Sequence, residues 1–261
     1  MFVVSRADEV PLSGGDVTEG VVRVGDTVRR PLKATSPAVH TLLRHLEAVG
    51  FDGAPRVLGI DELGREVLTF VPGDVPGRPF PVGEDVLAEL ARLQRRYHDA
   101  VSGFRPRPGA VWETGSADDA EPEVVGHCDV TPENVVFRDG LPVALIDFDM
   151  ARPVSRLFDV VTTLRHWAPI ADPVDRDHAD LDAGRRIRVF ADAYGLSAAE
   201  RLRLLPTARL RLDRSYVAMK HKAETEGGGW AVMWESGIGQ RIRRAAAWLD
   251  ANEDDLHRFL Q

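Results

Sequence analysis

Hydrophobic residues follow two rhythms along this chain. Up to about Pro72 they form short alternating or continuous apolar stretches between turn residues. Val21, Val22 and Val24 precede Gly25-Asp26, and Thr27-Val28 resumes the pattern, which predicts a β-hairpin over Glu19 to Arg30. Ser36-Pro37 then predict a helix start, with Ser as N-cap and Pro in the first turn. Val39, Leu42, Leu43, Leu46 and Val49 give that helix one apolar face, and Gly50 ends it. Val57 to Ile60 and Glu66 to Val71 predict two further strands around a turn at Leu63-Gly64. From Val71 to about Pro81 prolines and glycines interrupt every pattern, as in a linker.

After the linker the rhythm is mostly helical. A helix is predicted from about Glu84 to Ala100, and residues 105–122 read as loop. Two short apolar strands flank a turn at Asp139-Gly140. Beyond Asp159 the pattern is amphipathic helix, broken near Gly195, Pro206, Gly227-Gly228-Gly229 and Gly237. The chain thus divides into a strand-rich part, residues 1–72, and a helical part, residues 73–261. The fold class is α+β.

Composition narrows the functional classes. The 261 residues suffice for one large domain or two modest lobes sharing a cleft. A net charge of -8 argues against a nucleic-acid binder, which would show a basic face, and is compatible with a cationic small substrate. Cys128 is the only cysteine, so neither an internal disulfide nor a Cys-rich metal site is expected, and the reading is a reducing compartment, the cytoplasm. Met1 to Arg6 lack the apolar region of a signal peptide, and no run approaches the roughly 18 apolar residues of a membrane span.

Chemistry concentrates in one stretch. Gly126-His127-Cys128-Asp129-Val130-Thr131-Pro132-Glu133-Asn134 leads into the strand Val135-Val136-Phe137, and Val143-Ala144-Leu145-Ile146 returns to Asp147-Phe148-Asp149. A tight hairpin brings the two polar ends together, so Asp129, Asn134 and Asp147 are expected to converge. Such a set suits phosphoryl transfer. Mg²⁺ takes hard oxygen ligands and keeps part of its water shell, so one carboxylate and one amide oxygen suffice beside nucleotide phosphates. A second carboxylate can accept a hydroxyl proton without binding the metal. His127 reads as structural, Cys128 as a small buried residue, and Asp149 as a second metal residue or a helix cap. The acidic positions Asp172, Asp175, Asp177, Asp180 and Asp182 read as a solvated loop and helix start rather than the wall of a cationic substrate's site.

The pattern H-x-D-x-x-x-x-N, a hairpin and D-x-D resembles the signature shared by protein kinases and aminoglycoside phosphotransferases. Arg156-Leu157-Phe158-Asp159-Val160-Val161 is similar to the phosphotransferases' next helix start, where the Asp supports the catalytic loop. Thr27 to Pro31, Pro55 to Gly59, and Met233 to Leu249 also resemble them. The resemblance implies a bilobal protein-kinase-like fold, with a small antiparallel-sheet lobe, residues 1–72, that binds nucleotide and a larger helical lobe, residues 73–261, that carries catalysis and the substrate site. It implies Asp129 as catalytic base, Asn134 and Asp147 as Mg²⁺ ligands, and ATP or GTP as co-substrate. The acceptor implied is a hydroxyl of a small molecule, an aminoglycoside-like antibiotic or a metabolite. Thr131 stands where Ser/Thr kinases carry Lys, Asp149 where they carry Gly, and Asp159 follows with no room for an activation segment, which favours a small-molecule acceptor over a protein.

In the smaller lobe Arg30 stands where such families place a nucleotide-binding Lys, with Lys33 nearby, and Arg can grip phosphate bidentately. Helix positions Val39 and Thr41 offer no Glu to pair with it, so the usual strand–helix ion pair is not expected. Backbone groups of Thr69, Phe70 and Val71 are expected at the base, and Ser13-Gly14-Gly15 is a candidate phosphate loop. Two other readings remain open: a kinase-shaped binding protein without transfer, and a metal-dependent hydrolase using His127, Asp129, Asp147 and Asp149.

Overall fold

The computed structural model describes residues 9–12, 20–77, 80–116, 118–176 and 181–261. The candidate phosphate loop Ser13-Gly14-Gly15, Asp177 and Asp180 lie outside these residues. A five-stranded antiparallel sheet forms the smaller lobe from β1 (Val10–Pro11), β2 (Val22–Val24), β3 (Thr27–Pro31), β4 (Val57–Ile60) and β5 (Arg65–Thr69), in the order β1-β2-β3-β5-β4. The Gly25-Asp26 turn joins β2 to β3 as the sequence predicts.

Strand alternation decides what faces the cleft. A period of two puts Val28 and Arg30 on one face of β3, with Arg29 on the other. The β3–β5 register sets Val28 opposite Leu68 and Arg30 opposite Glu66, so an apolar pair and an ionic pair share the inner face. Arg29 on the outer face meets Asp61 instead.

Helix α1 (Ser36–Ala48) buries Val39, Leu42, Leu43 and Leu46 under the sheet. Its N-cap is Thr35 rather than Ser36, because the Ser36 hydroxyl turns back to accept the Lys33 N–H at 3.0 Å. Between Thr69 and Glu84 the described chain forms one isolated bridge, Asp74 to Phe137, which ties the crossing segment to the larger lobe.

The larger lobe is built on α2 (Glu84–Val101), α3 (Arg156–Trp167), α4 (Ala183–Tyr194), α5 (Ala198–Thr225), α6 (Gly228–Glu235) and α7 (Ile238–Leu260). Its core joins Leu87, Leu90 and Leu93 of α2 to Leu164, Phe190 and Leu204, and continues without a break to Leu42 and Leu46 of α1. Pro206 does not break α5, contrary to the sequence expectation. Leu204, Leu205, Ala208 and Leu212 around it are buried, and the carbonyl it leaves unbonded belongs to the exposed Leu202, where water can satisfy it. Two ribbons complete the lobe: β7 (Val135–Arg138) with β8 (Leu141–Leu145), as expected, and β6 (Val124–Gly126) with β9 (Arg152–Val154), which the sequence pattern did not reveal. No helix among the described residues is long and apolar enough to cross a membrane.

Candidate active site

The β7–β8 ribbon turns at Asp139-Gly140, both with positive φ, the geometry that closes a two-residue hairpin. Its open end carries the polar motifs, and the Ile146 N–H donates to the Asn134 carbonyl at 2.9 Å. The Asn134 amide donates to Asp129 Oδ2 at 2.7 Å and to the Asp129 carbonyl at 2.9 Å. Cys128 and Asp147 both sit near φ +60°, a left-handed conformation that costs a non-glycine residue free energy and collects at functional sites.

Asp159 of α3 holds the first motif in that conformation. Its carboxylate, fully buried, accepts the backbone N–H groups of Cys128 at 2.7 Å and His127 at 3.1 Å, and is braced by His98 at 2.9 Å and Gln94 at 3.1 Å. Burial alone would push this carboxyl up; the hydrogen bond and charge of His98, the nearby His127 and the Cys128 N–H overcome it and hold it far below the usual carboxylate range. Tyr194 closes the chain by meeting His98 Nδ1 at 2.6 Å. Gly126 permits this approach, since a Cβ there would come within 3.0 Å of the Asp159 side chain. His127 is buried, bonded to the Ile146 carbonyl at 3.0 Å and packed on Phe148, so its role is structural as expected. Burial pushes the Cys128 thiol up to about 12, which removes it as a nucleophile.

Arg30 is buried at the cleft and engaged by three carboxylates: Glu66 at 2.8 Å, Asp147 at 2.9 Å and Asp149 at 2.8 Å. Burial pulls its pKa down; Asp149, Asp147 and Glu66 more than reverse that and raise it above the ordinary guanidinium value. Arg30 therefore has ion-pair partners, but not the usual strand–helix pair. Its acid comes from the neighbouring strand rather than from α1, and α1 joins through His40, which meets Glu66 Oε2 at 2.5 Å. Lys33 pairs with Asp149 at 2.6 Å, so Asp149 is an ion-pair partner and not a helix cap.

Two cavities meet at this point. One, of about 220 Å³, lies between the sheet and the β7–β8 ribbon and is walled by Val28, Leu43, Leu68, Ile146 and Phe148, with Arg30 inside it. Thr69, Phe70 and Val71 line it too. The N–H groups of Thr69 and Phe70 are committed to the carbonyls of Arg56 and Asp26, which leaves the Val71 N–H as the donor without a partner among the described residues on this edge. The other cavity, of about 530 Å³, opens among α3, α5, α6 and α7 and contains Asp129. Glu133, Asn134 and Asp147 line both.

Among known proteins, the chain matches the family model described as the phosphotransferase enzyme family over residues 107–205, the stretch that holds both motifs. A trifolitoxin immunity protein of Rhizobium leguminosarum bv. trifolii is 37% identical over 257 residues, which is 93% of this chain and 95% of the relative. The chain belongs to the phosphotransferase enzyme family. Solved structures share the fold of this phosphotransferase family member over nearly its whole length. A choline/ethanolamine kinase family protein from Mesorhizobium loti superposes with a TM-score of 0.61 at 15% identity, covering 98% of this chain and 94% of its own. An amicoumacin kinase in complex with AMP-PNP, Ca²⁺ and Ami gives 0.63 at 12% identity, covering 95% and 89%. The GDP complex of a wild-type aminoglycoside 2'-phosphotransferase-IIIa gives 0.58 at 16%, covering 94% and 91%.

Several residues of this candidate site carry no local signal. Glu66, His40, Gln94, His98 and Tyr194 arrive through pairing of distant segments. The acidic positions that are described serve elsewhere: Asp172 and Asp182 cap helix starts, and Asp175 pairs with Arg244. Among the described residues no group of three or more His, Cys, Asp or Glu is arranged to hold a metal.

Proposed function

We propose that the protein transfers the γ-phosphate of ATP or GTP to a hydroxyl of a small molecule. One observation carries the reading: Asn134 and Asp147 stand in the wall common to an apolar-lined cavity and a larger one that contains Asp129. Nucleotide in the smaller cavity and acceptor in the larger would meet at that wall. The base would lie against Val28, Leu68 and Phe148, with the Val71 N–H and neighbouring carbonyls of Thr69 and Phe70 at its edge. Asp129 would accept the acceptor's hydroxyl proton. The hydroxyl oxygen then forms the new bond to the γ-phosphorus, the bond to the β–γ bridging oxygen breaks, and its electrons leave with the nucleoside diphosphate.

Asn134 Oδ1 and the Asp147 carboxylate suit Mg²⁺, since the Asn134 amide nitrogen already faces Asp129 and its oxygen remains available as a hard donor. When bound, Mg²⁺ supplies neutralisation of phosphate charge. Arg30 orients Asp147. Similarity to a trifolitoxin immunity protein supports an acceptor that is an antimicrobial toxin, with phosphorylation as protection.

A second reading, nucleotide or ligand binding without transfer, is favoured by the full engagement of Arg30 by three carboxylates. One variant separates the two. Asp129→Asn should lower transfer by about 10²- to 10⁴-fold, the usual worth of a positioned base, while Mg²⁺-nucleotide affinity stays within about 2-fold. Undiminished turnover by that variant would remove Asp129 from the chemistry, and absence of turnover in the wild type across aminoglycosides, other antibiotics and hydroxylated metabolites would favour binding alone.

A further inference from the structure

The cavity that contains Asp129 does not sort acceptors by charge. Six carboxylates, Asp129 among them, and five Lys or Arg side chains line it. Its apolar lining is more selective. Met150, Met219 and Met233 all line it, and they are the only methionines of the chain beyond Met1. Trp230 of α6 and Ile238 and Ile242 of α7 complete that wall.

Most of the wall stands away from the reacting end. Arg211, Ser215, Met219, Lys222 and Glu226 line the cavity at steps of three or four residues, which is one face of α5. Arg211 feels the charge of Asp129, so that end of the stripe lies toward the motif. Met219 comes two turns later, about 12 Å along the helix axis.

Helix α6 supplies the remainder. Five of its eight residues are apolar, yet none is buried. Trp234 is its anchor: the ring lies 5.4 Å from that of Tyr216 on α5 and rests on Gly239 of α7, where a Cβ would come within 2.7 Å of it. Trp230 and Met233 stand on the cavity side, half-buried. Lys222, buried and paired with Glu113, sets its ammonium 4.4 Å from the centre of the Trp230 ring and so holds the indole in the wall. Half-buried Trp and Met surface is apolar area still partly in water, and an occupant that covers it gains the free energy of removing it. Methionine is unbranched and polarisable, so this wall can adapt to more than one apolar shape.

We propose that the acceptor is an amphipathic small molecule, with a hydroxyl at Asp129 and, about 12 Å along the cavity, an aromatic or branched aliphatic group seated on Met219, Trp230 and Met233. This rests on the phosphotransfer reading and narrows its acceptor. Simple amino alcohols are too short to reach the wall, and wholly polar aminoglycosides leave it in water.

The test uses the full chain with Mg²⁺ and AMP-PNP for calorimetric binding, and with Mg²⁺ and ATP or GTP for transfer. The probes share one hydroxyl head and differ in the tail: serinamide N-acylated with acetyl, hexanoyl or phenylhexanoyl groups, or with an oligoethylene-glycol acid as long as the last. One aminoglycoside is the polar, cationic control. Each methylene that reaches the wall should add about 4-fold in affinity, so the phenylhexanoyl compound should bind at least about 10-fold more tightly than the acetyl one and be phosphorylated preferentially. The glycol tail should add little. Met233→Gln and Trp230→Ala should each lower the phenylhexanoyl-to-acetyl ratio by about 10-fold, with AMP-PNP affinity unchanged. Trp230→Phe should retain most of the ratio. Met233→Gln carries the test should Trp230→Ala fold poorly, as read by its melting temperature. Equal binding of the acetyl and phenylhexanoyl compounds, an equal gain from the glycol tail, no binding of any tailed compound, or a gain untouched in both variants would overturn the proposal. Transfer to the aminoglycoside or the acetyl compound with no preference for apolar tails would sink the apolar subsite and leave the kinase reading standing. Tail-dependent binding that both variants lose, without transfer to any acceptor, would do the reverse.

Discussion

Buried or half-buried arginines from each lobe line the two cavities that meet at Asn134 and Asp147, and they are built in opposite ways. Arg30 is held by Glu66, Asp147 and Asp149, and its charge is cancelled within the fold. Arg152 and Arg211 are held by carbonyls and a hydroxyl, and Asp129 lines the same cavity. A cation wrapped in carboxylates organises the site and contributes to stability only while every partner is present. A cation held by neutral acceptors weakens the empty protein and is available to a ligand. Under the proposed function, the difference places the more fully ion-paired arginine on the nucleotide side.

Substitutions should separate the two groups by size of effect. The largest change in stability is expected from Arg30→Met, which strands Glu66, Asp147 and Asp149 near one another and should cost about 3–5 kcal/mol in denaturant unfolding. Asp159→Asn removes the charge that holds the His127 and Cys128 N–H groups, and should cost about 2–3 kcal/mol with faster amide exchange at those two residues. Acid titration sharpens the same point. Asp149 and Asp159 have folded pKa values below the ordinary 3.8, so the stability they contribute is complete above that value and is lost as pH falls through the folded ones. Stability should be level from neutral pH to about 5 and then fall by up to about 1.4 kcal/mol per pH unit for each group, with a shallower fall in Asp159→Asn. The smallest effect is expected from Arg211→Met, which should leave stability within about 1 kcal/mol of the wild type or raise it, because relief of repulsion offsets the lost Thr162 contact. A loss as large as that of Arg30→Met would abolish the distinction.

What the sequence revealed follows the same division. Both hairpins were legible, because Gly25-Asp26 and Asp139-Gly140 are turn pairs between strand formers, and the register they set brings Asp129 and Asn134 into contact and Asp147 to the same wall. The linker and the starts of α1 and α2 were legible from proline, glycine and apolar spacing. Glu66 was not, because its meeting with Arg30 is fixed by β3–β5 register across a long separation, and the local rule looks instead for an acid on α1. The β6–β9 ribbon was hidden for the same reason: its strands are short and widely separated. The larger cavity was the least legible part. Arg152, Arg165 and Arg211 come from three elements with no shared spacing, and each alone reads as an ordinary surface charge. Pro206 misled, since burial of its neighbours outweighs the single hydrogen bond it removes.

The central claim is that phosphate crosses the wall formed by Asn134 and Asp147. Phosphorus NMR of the wild-type protein with Mg²⁺, ATP or GTP and hydroxy-acid, hydroxyl-peptide, sugar-phosphate and aminoglycoside acceptors tests it most directly. The account predicts a new phosphate monoester on an acceptor, formed together with nucleoside diphosphate and lost in Asp129→Asn. Nucleoside diphosphate released only with inorganic phosphate, or a monoester formed equally well by Asp129→Asn, would contradict it.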